Sequence, residues 1–414
     1  MKCWFCKLIA PGKFGMKINK PMSQEKLLDF SNTQIAFSGK TDKDLKQTAW
    51  LFRMMNKQWL VNLMSPLGLI AAKYSIPFSN IIIKKTIFKQ FCGGTTLLNS
   101  QGAIDELNKM KVLTVLDYGA ESKTTEDELN NSMNETIKAV EFAASNSGVP
   151  VVSTKITALA PNEILEKWQT KADFTAQEEM TYNHVLERVD QICGKAHELG
   201  AAIFVDAEET WMQDTIDHIV DLMMEKYNKE KIVVYNTFQM YRKDRLEFLK
   251  ISHQKAQSKR YLLGAKIVRG AYMEKERKLA KEKNYPSPIQ ETKADTDKDF
   301  NAAIRYCVEN YTTIASCNAS HNVASNLLQA ELIAEKGIVK NHRHLNFCQL
   351  YGMSDYITFN LANAGYNVAK YVVYGEVKEV VPYLIRRAQE NSSVTGEMSR
   401  ELNLISKELK RRGL

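Results

Sequence analysis

Long apolar runs are missing from this 414-residue chain. Its most hydrophobic stretch, Trp59 to Phe78, is interrupted by Asn62, Pro66, Gly68 and Lys73. No segment therefore offers the roughly 20 apolar residues that a spanning helix needs. The phosphate-binding and metal-binding signatures are absent as well. No GxGxxG turn, Walker loop or HExxH occurs, and neither Gly93-Gly94 nor Gly264 with Gly270 has the fingerprint spacing. Cysteine is scarce and scattered. Cys193, Cys307, Cys317 and Cys348 lie far apart inside apolar runs, which suits reduced core thiols in a reducing compartment and excludes a disulfide framework. The Cys3-Trp4-Phe5-Cys6 pair has no second CxxC or His pair to complete a metal site. Met1 to Met22 contains no acid, but it has lysines where a transit peptide carries arginines and lacks a secretory apolar core. It reads equally as an extension upstream of a start at Met22. The net charge of +8 is modest for this length, and its lysines are spread widely. That argues against a nucleic-acid module and is compatible with an anionic partner such as a membrane surface, phosphate cofactor or acidic substrate without demonstrating one.

What is present is a regular alternation that begins near residue 111. Short β-branched runs occur at Val112–Asp117, Val151–Ile156, Ala201–Asp206, Ile232–Gln239, Leu263–Gly270, Thr312–Cys317, Leu345–Leu350 and Val368–Val373. Each is almost continuously apolar, as parallel strands covered on both faces are. Charged amphipathic segments follow, among them Thr210–Lys226, Lys243–Ala256, Asn322–Glu335 and Glu376–Glu390. Eight strand–helix units within 300 residues suit an α/β fold of the (β/α)8 TIM-type barrel class. A doubly wound sheet competes, but it would want the missing glycine turn. Three segments result: a helical arm over residues 1–107, a barrel over 108–395 and a basic helical tail over 396–414. The tail carries Lys407, Lys410, Arg411 and Arg412, either as a solvated helix end or as a contact with anionic lipid.

The apolar runs end in polar or aromatic residues: Asp117 and Glu121, Lys155, Asp206 and Glu208, Gln239, Arg269 with Gly270, Ser320-His321-Asn322, and Tyr371. Strand C-termini carry the chemistry in a barrel of this kind. Any one of them has a plainer role; Asp206 and Asn322 are also good helix caps, and His321 is also a plausible core histidine. On the last amphipathic segment, Arg386 and Arg387 follow Tyr383. Paired guanidiniums match a small carboxylate with a planar fork of donors. The competing role is a solvated face with an Arg386–Glu390 i,i+4 ion pair.

Four strings together carry a resemblance: Val205-Asp206-Ala207-Glu208-Glu209, Asn236-Thr237-Phe238-Gln239, Ala265-Lys266-Ile267-Val268-Arg269-Gly270-Ala271-Tyr272 and Tyr383-Leu384-Ile385-Arg386-Arg387. In this order and spacing they resemble the proline dehydrogenase family, from about Val112 to Ser393. The resemblance implies a distorted barrel that oxidises L-proline with FAD and passes electrons to a quinone, hence peripheral association with a membrane. It implies that Arg386 and Arg387 hold the proline carboxylate and that Glu121 pairs with the first of them. It implies that Lys155, Asp206, Tyr371 and Tyr383 line the substrate pocket together with Ala271 and Leu350. It further implies that Gln239, Lys266, Val268, Gly270, Ala271, His321, Asn322 and Glu390 contact FAD. A tyrosine at 371 implies proline in preference to hydroxyproline. Thr292 to Asp297 departs from the family pattern. The expected location is the cytoplasmic face of a bacterial inner membrane or the matrix face of the mitochondrial one. A hydroxyproline or other cyclic amino acid dehydrogenase, and a barrel without catalysis, are the alternatives.

Overall fold

A computed structural model describes residues 28–73, 79–119, 124–393 and 397–414. Its sheet contains nine strands: β1 (Cys92–Gly94), β2 (Leu113–Tyr118), β3 (Val151–Thr154), β4 (Ala202–Val205), β5 (Val234–Gln239), β6 (Leu263–Val268), β7 (Ile314–Ala319), β8 (Leu345–Leu350) and β9 (Val368–Tyr374). From β2 to β9 every neighbouring pair is parallel, and β9 returns to β2 with Tyr371 opposite Val115 and Val373 opposite Asp117. The sheet therefore closes into the eight-stranded barrel expected from the alternation. Burial on both faces explains the unbroken apolar runs: every residue of β5 is buried. All eight expected runs form strands. The run predicted at Thr312 starts at Ile314, because the amides of Thr313 and Ile314 bind the Asn310 carbonyl in the preceding turn.

Helices alternate with the strands and start on sequence-coded caps. Thr125 with Glu128, Thr175 with Glu178 and Thr292 with Asp295 form reciprocal capping boxes at the helices Glu126–Ala144, Ala176–Leu199 and Lys293–Glu309. Among the described residues, the free cysteines Cys92, Cys193, Cys307, Cys317 and Cys348 are all buried, as expected of reduced core thiols.

The barrel is distorted at its seam. A strand has two edges, and β9 spends one of them on β2. Along the other, β8 pairs only as far as Tyr371, and β1 takes over at Val373 and Tyr374. Glycine is required in β1: a Cβ on Gly93 would lie 2.4 Å from Val372 Cγ1, and one on Gly94 2.6 Å from the Asn99 backbone. The segment before residue 108 thus contributes a strand as well as helices. One of those helices, Gln58–Lys73, lies along the helix Val377–Ser393. At the other end of the chain, the helix Glu397–Arg411 packs on the helix Asp42–Met55. Two of the tail's cations are committed there: Arg412 binds Glu408 and Asp42 and donates to the Phe37 and Lys40 carbonyls, and Arg411 binds Glu408. These bonds dock the tail onto the protein, while Lys407 and Lys410 remain exposed.

Candidate functional site

The C-terminal ends of β2 to β9 converge on a buried polar cluster. Its centre is Asp206, just beyond β4. Lys266 on β6 reaches Asp206 Oδ1 at 2.5 Å, and the Tyr371 hydroxyl on β9 donates to Oδ2 at 2.8 Å. Ser153 on β3 donates to Oδ1 at 3.1 Å and accepts from Tyr371 at 3.2 Å. The Lys266 ammonium also sits 4.8 Å from the Tyr371 ring centroid and 5.4 Å from that of Phe204. Lys155 follows β3 and lies 3.9 Å from Asp117 on β2. Residues from five strands therefore meet because alternate side chains of a barrel strand point inward.

Charge in this cluster is balanced within itself. Burial alone would raise the Asp206 carboxyl; the charges of Lys266 and Lys155 and the hydrogen bonds from Lys266 and Tyr371 outweigh it and hold the group below the ordinary carboxylate value. For Asp117 burial prevails over Lys155, and with the neighbouring Asp206 charge it brings the carboxyl up to about 6. Burial, together with the two carboxylates, pushes the Tyr371 phenol far above its usual range. Tyr371 is thus a neutral donor at any physiological pH.

A second group of residues stands at the ends of β5, β6 and β7. Gln239 is fixed from both sides: its amide donates to the Glu208 carbonyl at 2.7 Å, and its Oε1 accepts from the Ala271 amide at 3.3 Å. Val268 is half-buried at the end of β6, and Ala271 is exposed just beyond it. Gly270 has φ +139°, and a Cβ there would meet the Tyr241 ring at 2.4 Å, so packing alone demands glycine. Arg269 is held by Asp297 at 2.7 Å and by Ser320 at 2.6 Å. Asn322 caps the helix Val323–Glu335 through the Ser325 amide. His321 bonds through Nδ1 to Ser354 Oγ at 2.9 Å. Burial first, then the charges of Lys370, Arg387 and Arg269, drive its pKa down to about 3. The ring is therefore neutral.

The arginine pair is on the helix Val377–Ser393. Arg387 is buried, with its guanidinium 5.2 Å from the ring centroid of Tyr383, one turn earlier and also buried. Arg386 is half-buried beside it. Arg387 is near enough for its charge to act on His321, just beyond β7. Leu350, at the end of β8, is opposite Tyr371 in the sheet. Glu121 and the Glu390 side chain lie outside the described residues, as does the Met1–Pro21 segment.

Three participants escaped the sequence analysis. Ser153 ties Tyr371 to Asp206. Lys370 alternates with Tyr371 on β9, points out of the barrel and pairs with Asp355 at 2.9 Å. Glu401, on the last helix, accepts from the Ser354 and Asp355 amides at 2.8 and 3.2 Å, so that it fixes the residue that holds His321. A lysine inside the apolar strand Val368–Tyr374 was a usable signal for such a buried pair. Glu208, in contrast, turns away from the cluster and accepts from the Thr157 amide and hydroxyl.

The donors along β5 to β7 fit a flavin dinucleotide. The Gln239 amide, Lys266 ammonium, Arg269 guanidinium and neutral His321 imidazole lie on or just beyond β5 to β7, and Arg269 also bonds Ser325 in the first turn of the helix Val323–Glu335, a set suited to an anionic pyrophosphate and an electron-rich ring.

Comparison with known proteins identifies the family. The family model described as proline dehydrogenase matches residues 100–400. A protein named mitochondrial proline dehydrogenase 1 from Dictyostelium discoideum is 33% identical, with 86% of this chain and 69% of that protein covered. A protein named hydroxyproline dehydrogenase from Xenopus laevis is 31% identical, with 80% and 78% covered. Among solved structures, proline utilization A from Bdellovibrio bacteriovorus superposes with a TM-score of 0.74 at 21% identity. The alignment covers 90% of this chain but 42% of that one, so the chain spans less than half of that protein, and the likeness concerns the fold.

Proposed function

Since the chain belongs to the proline dehydrogenase family and is an oxidoreductase, we propose that it oxidises L-proline to 1-pyrroline-5-carboxylate, with FAD as oxidant and a quinone as final electron acceptor. The observation that carries the proposal is the pairing of two features at one end of the barrel. One is a charge-balanced floor of Asp206, Lys266 and Tyr371. The other is a helix bearing Arg386 and Arg387, with Arg387 near enough for its charge to act on His321 beyond β7. A small zwitterion with an apolar ring needs both.

Arg386 and Arg387 bind the proline carboxylate as a fork. Tyr371, Tyr383 and Leu350 pack on the ring, with Ala271 at the rim. Lys155 and Asp117 close the floor on the β2–β3 side. The substrate nitrogen must lose a proton before the adjacent C–H bond breaks. The arginines favour that loss, because two cations beside an ammonium lower its pKa. Asp206 would oppose it, but Lys266 at 2.5 Å cancels much of its field. Bound FAD supplies the two-electron oxidising power that no side chain has. Gln239, Lys266, Val268, Gly270, Ala271, His321, Asn322 and Glu390 are the positions proposed to hold it. Lys266 among them favours the electron-rich reduced ring.

A quinone acceptor puts the enzyme at a membrane surface. The names of the mitochondrial relatives favour the mitochondrial alternative over the bacterial one. The test is an absorbance spectrum of the purified protein, followed by anaerobic addition of L-proline and, separately, of hydroxyproline. A yellow protein bleached faster by proline is expected. A colourless protein, or a flavin that proline leaves oxidised, overturns the proposal. Faster bleaching by hydroxyproline would transfer the activity to that substrate.

A further inference from the structure

The helix Gln58–Lys73 is built inside out. Its protein-facing seam is Val61, Ser65 and Gly68, at i, i+4 and i+7, and Gly68 lies against Ile385 of the arginine-bearing helix, whose Cδ1 is 4.0 Å from where a Cβ would stand. The large apolar residues point the other way. Trp59 is 66% exposed and Leu63 55%, and Met64, Leu67, Leu69 and Ile70 are exposed as well. Next to it, the helix Ser79–Ile83 exposes Ile81 and Ile82, the latter at 63%. Water-facing helices normally present charge and bury leucine. A contiguous apolar face of this size marks a docking surface.

Charge identifies the occupant. From Leu45 to Ile104 the chain contains no aspartate or glutamate, and seven cations: Lys46, Arg53, Lys57, Lys73, Lys84, Lys85 and Lys89. Of these, Arg53, Lys57, Lys84 and Lys85 are exposed around the apolar face, and Trp50 and Trp59 stand exposed beside them. Tryptophan and lysine at the margin of an apolar helix face suit the headgroup level of a bilayer. At 16 residues the helix is too short to span one. A second copy of the chain would bring the same cations against these. The chain's own first 27 residues hold six lysines and one glutamate, which is equally poor complementarity.

We propose that the outward face of the helices Gln58–Lys73 and Ser79–Ile83 seats in the plane of an anionic phospholipid bilayer. The surface carries the inference, which also deepens the quinone proposal: the docked helix rests on the helix that bears Arg386 and Arg387, and so sets the active-site end of the barrel beside the lipid.

The test is flotation of the full-length flavin-loaded protein with two kinds of vesicle, phosphatidylcholine alone and phosphatidylcholine with about one-third phosphatidylglycerol. The protein should float with the anionic vesicles, less with the neutral ones, and less again in high salt. The triple variant Trp59→Gln, Leu63→Gln, Leu67→Gln should lower the partition coefficient by about tenfold or more. Its circular dichroism and its proline activity with a water-soluble dye should match the parent. Lys84→Gln with Lys85→Gln should remove the preference for anionic lipid. A triple variant that floats as well as the parent overturns the proposal. So does a parent that stays off both vesicles and is dimeric by light scattering while the triple variant is monomeric, since the face would then seat a second copy. Lipid binding without dye reduction would sink the proposed activity and leave this inference standing.

Discussion

Lys266 Nζ and Asp206 Oδ1 are 2.5 Å apart in the floor of the barrel mouth, and Lys266 is almost wholly buried. Removal of the cation alone leaves a carboxylate in a dry site. Lys266→Met should destabilise the protein by about 3 kcal/mol near pH 8. Asp206 is held below its ordinary value in the parent, so its contribution is present above the unfolded pKa and is lost as pH falls through the folded one. In the variant the unpaired carboxyl protonates more readily, and the deficit should narrow towards pH 5. Denaturant titrations at the two pH values measure this. The double variant Asp206→Asn, Lys266→Met should cost less than the sum of its parts, the sign of direct coupling.

Arg386→Met and Arg387→Met separate substrate capture from cofactor capture. Each should keep its flavin and raise the KM for proline steeply, since one charge-assisted contact to a carboxylate contributes about 1.5–3 kcal/mol. Arg387→Met should also let the His321 pKa rise, because Arg387 is one of the three cations that depress it. Steady-state kinetics with flavin quantification decide the first point. An unchanged KM in both variants would remove the carboxylate assignment.

Tyr371 fills the pocket floor with a phenol that donates to Asp206. Tyr371→Ser opens space for a ring hydroxyl and leaves a smaller donor in its place. The ratio of kcat/KM for hydroxyproline to that for proline should rise by about tenfold. Parallel kinetics on both substrates measure it, and a fixed ratio would show that Tyr371 does not discriminate.

Glu208 is buried, and burial carries its carboxyl up to about 7 against the bonds from Thr157. A raised acid pKa means that the folded protein holds a proton the unfolded chain releases. The stabilisation is complete below the unfolded value and is lost as pH rises through about 7. Stability should fall by at most about 3 kcal/mol between pH 5 and 8 from this group. Glu208→Gln keeps both contacts to Thr157 and should flatten that slope in thermal melts. An identical pH dependence in parent and variant would show that Glu208 stays ionised.

Most of the barrel could be read from the chain, because a parallel strand buried on both faces writes itself as an apolar run. The strand ends could be read for the same reason: Asp206, Lys266 and Tyr371 break such runs and do meet. Elements with no local signature were missed. β1 is Cys92-Gly93-Gly94, two-thirds glycine, and only its fit against β9 makes it a strand. The Lys370–Asp355 pair and the Glu401 bonds join three separated segments, and nothing in any one of them names the others. Trp59 to Phe78 stands out in the sequence only as an interrupted apolar stretch. In the described part of that stretch the apolar side faces outward, and a hydrophobic pattern by itself does not reveal which side is covered.

The borrowed strand at the seam has a practical consequence. A fragment trimmed to residue 108 would strip β1 from β9 and bare the backbone groups that face it, among them the Gly375 amide, which donates to the Gly94 carbonyl. Exposed strand edges recruit other strands. The catalytic barrel should therefore be sticky when produced without its arm, and soluble again when Cys92–Gly94 and the helix Leu97–Lys109 are restored.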